Sequence, residues 1–570
     1  MKKFLATFVV VLLSGCAGVP IEQPAPRSDG AGADPMPVER TAASGLPTGV
    51  LYRLLSAEFA VRRGKPAKAV ETYMAVARET RDAGVAERAT RMAVYARDEQ
   101  GGIDAARLWV ELADNLEAYR VYAALLVRAG QSEPALDALT IIVERFGGEA
   151  GQGFRIVSEL LSRDRNKARR VALMEKIVAE YPDSVPAKTA LAQTAARAGQ
   201  PNKALRILKG LYEADPGNDA HVAFYASLLR NQGKMEEALA VLEGHVARRP
   251  KGPEVRMLYA RFLVDAKRYE EARAQFERLA QAFPDRSDVR YALGLLLLQT
   301  NHHDDARPHF ERLVEIGEQA LQAHFYLGRI AEAQEKPEDA IGFYRRVDRG
   351  DQYVNAQIRV AAIYADLGKL NRARQHLGAV RRDNDLDDIR LYRAEAELLA
   401  RSAKIEDAIG VYGIALKAHP NNTDLLYARA MMAARVNRYE MLERDLRDIL
   451  SREPNNADAL NALGYTLADR DNRLDEAYDL IKRALTLKPE DHYTIDSMGW
   501  VLYRMGRLEE AVTYLQKALS IRPDAEVAAH LGEVLWVLGR KDEARVVWDT
   551  ALKDTPKDKR LLETIKRLSE

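Results

Sequence analysis

The sequence predicts an all-α protein, a superhelical solenoid of about fifteen helix pairs. Three observations carry this. An alanine followed four residues later by a large apolar residue returns at Ala204, Ala238, Ala272, Ala306 and Ala340, always 34 residues apart. The composition, 47% hydrophobic and 30% charged, suits amphipathic helices with one buried stripe and one solvated face. Proline recurs near the end of the unit, as at Pro489, Pro523 and Pro556, where it stops a helix.

Residues 1–15 precede this body and read as a signal peptide. Lys2 and Lys3 form a positive start, and the apolar run Phe4 to Leu13 follows. The run is too short to span a bilayer. It ends in Leu13-Ser14-Gly15-Cys16. This segment resembles the lipobox of bacterial lipoproteins. The resemblance implies cleavage before Cys16, a diacylglycerol on its sulfur and an acylated amino terminus, and more than one acyl chain makes a lasting anchor. Cys16 is the one cysteine of the 570 residues, so a lipidated chain would have no free thiol. Ala17 stands where related lipoproteins of the inner membrane often carry Asp. The expected location is therefore the outer membrane, lipid-anchored and facing the periplasm.

Residues 16–49 read as the lipidated cysteine and a flexible tether. Six prolines and five glycines fall between Ala17 and Gly49, with no apolar periodicity. Such a segment cannot bury enough surface to offset its ordering entropy. Fully extended, it reaches roughly 110 Å, at about 3.3 Å per residue.

Residues 50–570 hold the repeats. The marker continues at Ala373, Ala408, Leu442, Ala477, Ala511 and Ala544, and upstream at Ala69, Ala105 and Ala135, with a poorer copy near Ala168. The phase is weakest between Arg145 and Tyr181, and a second soft place lies at Leu386 to Asp388. The best copies set Gly499 against Ala511, Leu515, Ala518 and Pro523, and Gly532 against Ala544, Trp548, Ala551 and Pro556. A small residue on the first helix lets the second approach, and the large one fills the space beside it. The period and these positions resemble the tetratricopeptide repeat. Each unit buries its apolar face only against its neighbours, so one continuous solenoid is expected.

Charge narrows the partners. Lys plus Arg total 85 against 84 Asp plus Glu, and the formal charge of +1 falls to about −1 once Lys2 and Lys3 leave with the signal. No basic block with interleaved aromatics is present, which argues against nucleic acid. His302, His303, Asp304, Asp305 and His309 are the best metal candidates, but they read as a polar turn before a helix start. No catalytic or cofactor-binding motif stands out. The expectation is a non-enzymatic protein with no cofactor and no bound metal, working through protein partners.

Those partners are expected on the face formed by the first helix of each unit. With Gly499 fixing the phase, Asp496, Trp500 and Tyr503 share one helical face, Tyr493 lies one turn earlier, and Arg504 borders them. Trp536 takes the place of Tyr503 one unit on. These six residues form the candidate protein-binding groove, and aromatic anchors are favoured there. The Lys/Asn pairs with which some tetratricopeptide domains clamp a terminal carboxylate are missing.

The segments Asn461–Asp469 and Asp496–Arg504 go beyond the generic repeat. With the lipobox and the long run of repeats, they resemble the proteobacterial outer-membrane lipoproteins that serve as adaptors of periplasmic carboxyl-terminal processing proteases. That resemblance implies a scaffold that binds the protease and brings cell-wall hydrolases to it for degradation. A scaffold for exopolysaccharide export, pilus or outer-membrane assembly uses the same architecture and stays open as the alternative.

Overall fold

A computed structural model describes residues 49–146, 151–383, 388–470 and 473–570. The signal peptide, Cys16 and nearly all of the tether lie outside the described residues, as do Gly147 and Gly148. Among the described residues there are 31 α-helices and no strands, fifteen pairs followed by the single helix Lys559–Ser569. They group into two compact units, one through His309 and one from Phe310 to Glu570. Within each, helices pack mainly on those one or two places away in the sequence.

In the first unit the 34-residue alanines open the second helix of each pair. Ala204, Ala238 and Ala272 are the fourth residues of the helices Pro201–Ala214, Met235–Arg248 and Tyr269–Ala282, and all are fully buried. Leu208, Leu242 and Phe276, one turn on, are buried with them. Their counterparts on the first helices are Ala192, Ala226 and Ala260, again one per repeat and all buried. A small residue on each helix of the pair leaves room for the two backbones to approach.

The weak copy near Ala168 is displaced. Ala168 is exposed, and Val171 takes the buried place beside Leu173 and Met174. The reason lies in the preceding turn. The buried Asp164 carboxylate accepts Arg169 Nε at 2.6 Å and Nη2 at 2.7 Å, and the Asn166 backbone N–H at 2.8 Å. This knot starts the helix at Lys167 and turns Ala168 outward.

In the second unit the approach is closer. A methyl built on Gly464 would stand 2.6 Å from Ile481 Cγ1, one on Gly499 2.5 Å from Leu515 Cγ, and one on Gly328 2.7 Å from the ring of Tyr344. Real Cβ atoms do not come this near, so these positions need glycine. The unit of Ala430 and Leu442 has no glycine there. It buries Leu442 and adds a bidentate pair, Arg429 Nε and Nη2 to Asp445 at 2.7 and 2.8 Å.

The turns repeat as strictly as the crossings. Inside most pairs one residue takes the left-handed conformation: Gly199, Gly233, Lys267, Asn301 and Glu335 in one run, then Gly368, Ala403 and Asn437, then Gly506 and Gly539. Between pairs, Asn or Asp caps the next first helix. Asn218, Asn422, Asn456, Asp491 and Asp558 each accept the backbone N–H three residues on at 2.9–3.1 Å. These bonds satisfy N–H groups that a helix start leaves without partners.

Candidate functional site

Four successive first helices of the second unit build the candidate site: Ala457–Asp469, His492–Arg504, Ala525–Val537 and the terminal Lys559–Ser569. One repeat of offset brings equivalent faces side by side.

Asp496 and Trp500 lie one turn apart, and both meet His530 of the following first helix. The His530 Nδ1 stands 2.9 Å from Asp496 Oδ1 and 3.1 Å from Oδ2. The Trp500 ring stacks on the imidazole with centroids 4.2 Å apart and planes 27° from parallel. Tyr503 closes on Trp500 at 5.1 Å, and Tyr465 reaches His530 from the other side at 6.3 Å. Trp500 is only 7% exposed. It therefore forms the body of the wall, and its buried Nε1 has no hydrogen-bond acceptor among the described residues. Tyr503 and Arg504 are half-buried, and Tyr493 is exposed against the ring of His492.

Two carboxylates border this aromatic body. Glu533, itself buried, accepts the Tyr503 hydroxyl at 3.2 Å and Arg567 Nη2 at 2.5 Å. Glu526 accepts the Tyr465 hydroxyl at 3.4 Å and pairs with Arg560. Burial, reinforced by the Glu533 carboxylate, pushes the Tyr503 phenol up. Burial pushes the Tyr465 phenol up as well. Both phenols stay protonated and serve as donors. The guanidinium of Arg504 donates to the Asp469 carbonyl at 2.6 Å, which ties two first helices together.

The structure thus brings together Asp496, Trp500, Tyr503 and Arg504, with Tyr493 at their edge. Trp536 has other neighbours. Its ring lies 5.6 Å from Trp548 of the second helix Lys541–Asp554, with Lys541 Nζ 4.8 Å and Arg545 5.6 Å from its centroid. Equivalent repeat position did not give Trp536 the surroundings of Tyr503, because Trp548 fills the next gap.

His530, Glu526, Glu533, Arg560 and Arg567 went unnoticed in the sequence. A signal for them exists. Asp496 and His530, Glu533 and Arg567, and Glu526 and Arg560 all stand 34 residues apart with complementary chemistry.

At the polar turn, His302 Nδ1 lies 2.9 Å from Thr300 Oγ1, and Asp305 accepts from Arg273 Nη2 of the preceding repeat at 3.0 Å. Among the described residues no group of three or more His, Cys, Asp or Glu could hold a metal ion. No described helix is long and apolar enough to cross a membrane. The face built here offers aromatic rings, fixed hydroxyl donors and neutralised carboxylates. It is suited to recognising a polypeptide surface.

Two tetratricopeptide repeat models match the chain, one at residues 195–262 and 502–568, the other at 260–320, 291–354, 393–440 and 443–492. The TPR repeat-containing protein PA4667 of Pseudomonas aeruginosa is 40% identical over 544 residues, 94% of this chain and 90% of that protein. Among solved structures, yeast Tom70 aligns at 15% identity and a TM-score of 0.35, covering 92% of this chain and 95% of its own. The thermophilic TPR protein TTC0263 of Thermus thermophilus aligns at 22% identity and a TM-score of 0.28, over 31% and 95%.

Proposed function

The chain belongs to the tetratricopeptide repeat family, whose repeats are protein-interaction scaffolds, and from that premise we propose that it is a lipid-anchored adaptor of the periplasm. In this reading Cys16 carries the lipid and holds the protein on the outer membrane. The repeats bind a carboxyl-terminal processing protease and present protein substrates such as cell-wall hydrolases to it. Holding both on one scaffold raises the client's effective concentration at the protease with no allosteric step.

The observation that supports this most is the aromatic and acidic face of Tyr465, Trp500, Tyr503 and Glu533. Its hydroxyls, carboxylates and rings are fixed by neighbours one or two repeats away. A pre-organised face loses little entropy when a partner docks.

The test is affinity capture of the full-length lipoprotein from membranes, with identification of stoichiometric partners. A periplasmic protease should co-purify, and cell-wall hydrolases should accumulate when the adaptor is deleted. Stoichiometric recovery of polysaccharide-export, pilus or outer-membrane assembly components, with no protease, would replace this reading with the alternative scaffold. Metabolic labelling with a fatty acid should mark the parent and not Cys16→Ala; equal labelling would remove the anchor.

A further inference from the structure

Among the described residues no helix precedes Val50–Arg62. It packs on its own second helix, Pro66–Thr80, and touches the next first helix through Glu58 and Arg88. Val50 and Ala57 face that packing and are buried. The opposite side is open. Leu51 is 57% exposed, Tyr52 76%, Leu55 50% and Phe59 56%. At about 100° per residue these four fall within an arc of roughly 140°, together with Ser56, Arg62 and Arg63. The last helix of the chain is built differently. Lys559–Ser569 turns Lys559, Arg560, Glu563, Lys566 and Arg567 outward, as a capping helix should.

Charge around the open stripe is one-sided. Arg62, Arg63, Lys65 and Lys68 are exposed at its carboxyl end, and none makes an ion pair among the described residues. The helix's one acid, Glu58, is taken by Arg88 and by the Tyr73 hydroxyl at 2.5 Å. Arg53 is paired with Glu79. At the amino end Gly49 offers no side-chain cap and the first turn carries no acid, so neither of these offsets the positive helix end. An apolar arc lies between positive groups at both ends, in a chain whose total charge is nearly balanced.

We propose that Val50–Arg62 is a membrane-contact helix that lies on an anionic phospholipid surface. Leu51, Tyr52, Leu55 and Phe59 enter the boundary between headgroups and acyl chains. Arg62, Arg63, Lys65 and Lys68 meet lipid phosphates, their long stems following the apolar layer. A second copy of the chain fits less well. Two such helices paired antiparallel would set the basic end of each against the positive amino end of the other, and paired parallel they would set basic against basic.

The contact would hold the first repeats at the surface, and it needs neither the protease nor its clients. The test uses the intact lipoprotein, reconstituted into vesicles, with an environment-sensitive fluorophore on Leu55→Cys. Parent protein without the added cysteine gives the background from Cys16. Tyr95→Cys, on the helix Ala83–Ala96 and 69% exposed, serves as the water-facing control. In phosphatidylglycerol-containing vesicles the label at position 55 should be quenched by brominated acyl chains and shielded from aqueous iodide. Arg62→Gln with Arg63→Gln, or vesicles of phosphatidylcholine alone, should reduce that quenching about tenfold. A label at position 55 as open to iodide as the one at position 95 would overturn the proposal. So would a label shielded from both quenchers while the chains cross-link through position 55, which would assign the stripe to a second copy. Failure to capture a protease would leave the quenching result untouched.

Discussion

Asp496 and His530 stand one repeat apart, 34 residues along the chain, and meet at 2.9 Å. Asp496 is 6% exposed and His530 5%, so each replaces the water the other has lost. Asp496→Ala or His530→Ala should destabilise the protein by about 1–3 kcal/mol, because the remaining partner is left buried and unsatisfied. The double variant should cost clearly less than the sum. Strict additivity in urea denaturation would show that the two groups are not coupled.

The glycines at the helix crossings of the second unit should not tolerate a methyl group. Gly499→Ala meets Leu515, and Gly532→Ala meets the indole of Trp548. Each should cost about 1–3 kcal/mol, the usual range for forcing a packed crossing apart. Adding Trp548→Leu to Gly532→Ala should recover part of the loss, which thermal unfolding would register. A Gly532→Ala melting curve that overlays the parent's would contradict the crossing geometry.

Ala403 offers the opposite effect. Its φ of 58° lies in the left-handed region, in a turn slot that Gly506 and Gly539 fill elsewhere with glycine. Ala403→Gly removes a steric cost of roughly 1–2 kcal/mol, offset in part by the greater freedom of glycine when unfolded. A net gain of about 0.5–1 kcal/mol is expected in denaturant midpoints.

Stability should fall in acid. Burial lowers the pKa of His221, His324 and His376 from the ordinary value of 6.5. Each ring binds a proton more weakly when folded than when unfolded. The unfolded chain therefore takes up more protons as pH drops below about 6.5, and stability is lost there, while it is fully present above. The melting temperature should be lower at pH 5 than at pH 7.5. Replacing these histidines with Gln should flatten the dependence, and an unchanged slope would show that they do not contribute.

The candidate face separates into rim and wall. Tyr503→Ala with Arg504→Ala should weaken partner capture by about tenfold or more and lower melting less than Trp500→Ala does, since both side chains are half-buried. Trp500→Ala should lower melting, because the ring is buried on His530. Intact capture in the first variant would move the contact elsewhere on the protein.

The helix pairs were legible because packing restricts their crossings to residues that a reader can see. Ala204, Ala238 and Ala272 keep the same fourth position in their helices, and all three are fully buried. Ala168 misled because a buried turn, Asp164 with Arg169, resets the helix start, and that depends on side-chain geometry and not on spacing. Trp500 and Tyr503 were legible as one helical face. Their depth was not, since it is set by His530 and Glu533 on the following first helix. Reading each residue against its equivalent one repeat later would have found these partners, and it would also have cautioned against equating Trp536 with Tyr503.

The packing of helices chiefly on close neighbours in sequence has a consequence for how the chain reaches its native state. Few distant segments must meet before stabilising contacts form, so contact order is low and folding should be fast for a chain of this length. As the polypeptide emerges from its amino end, each pair can dock once the next one or two helices are free. Completed repeats do not wait for the carboxyl end, which shortens the time that the apolar faces of unfinished pairs stand open to aggregation.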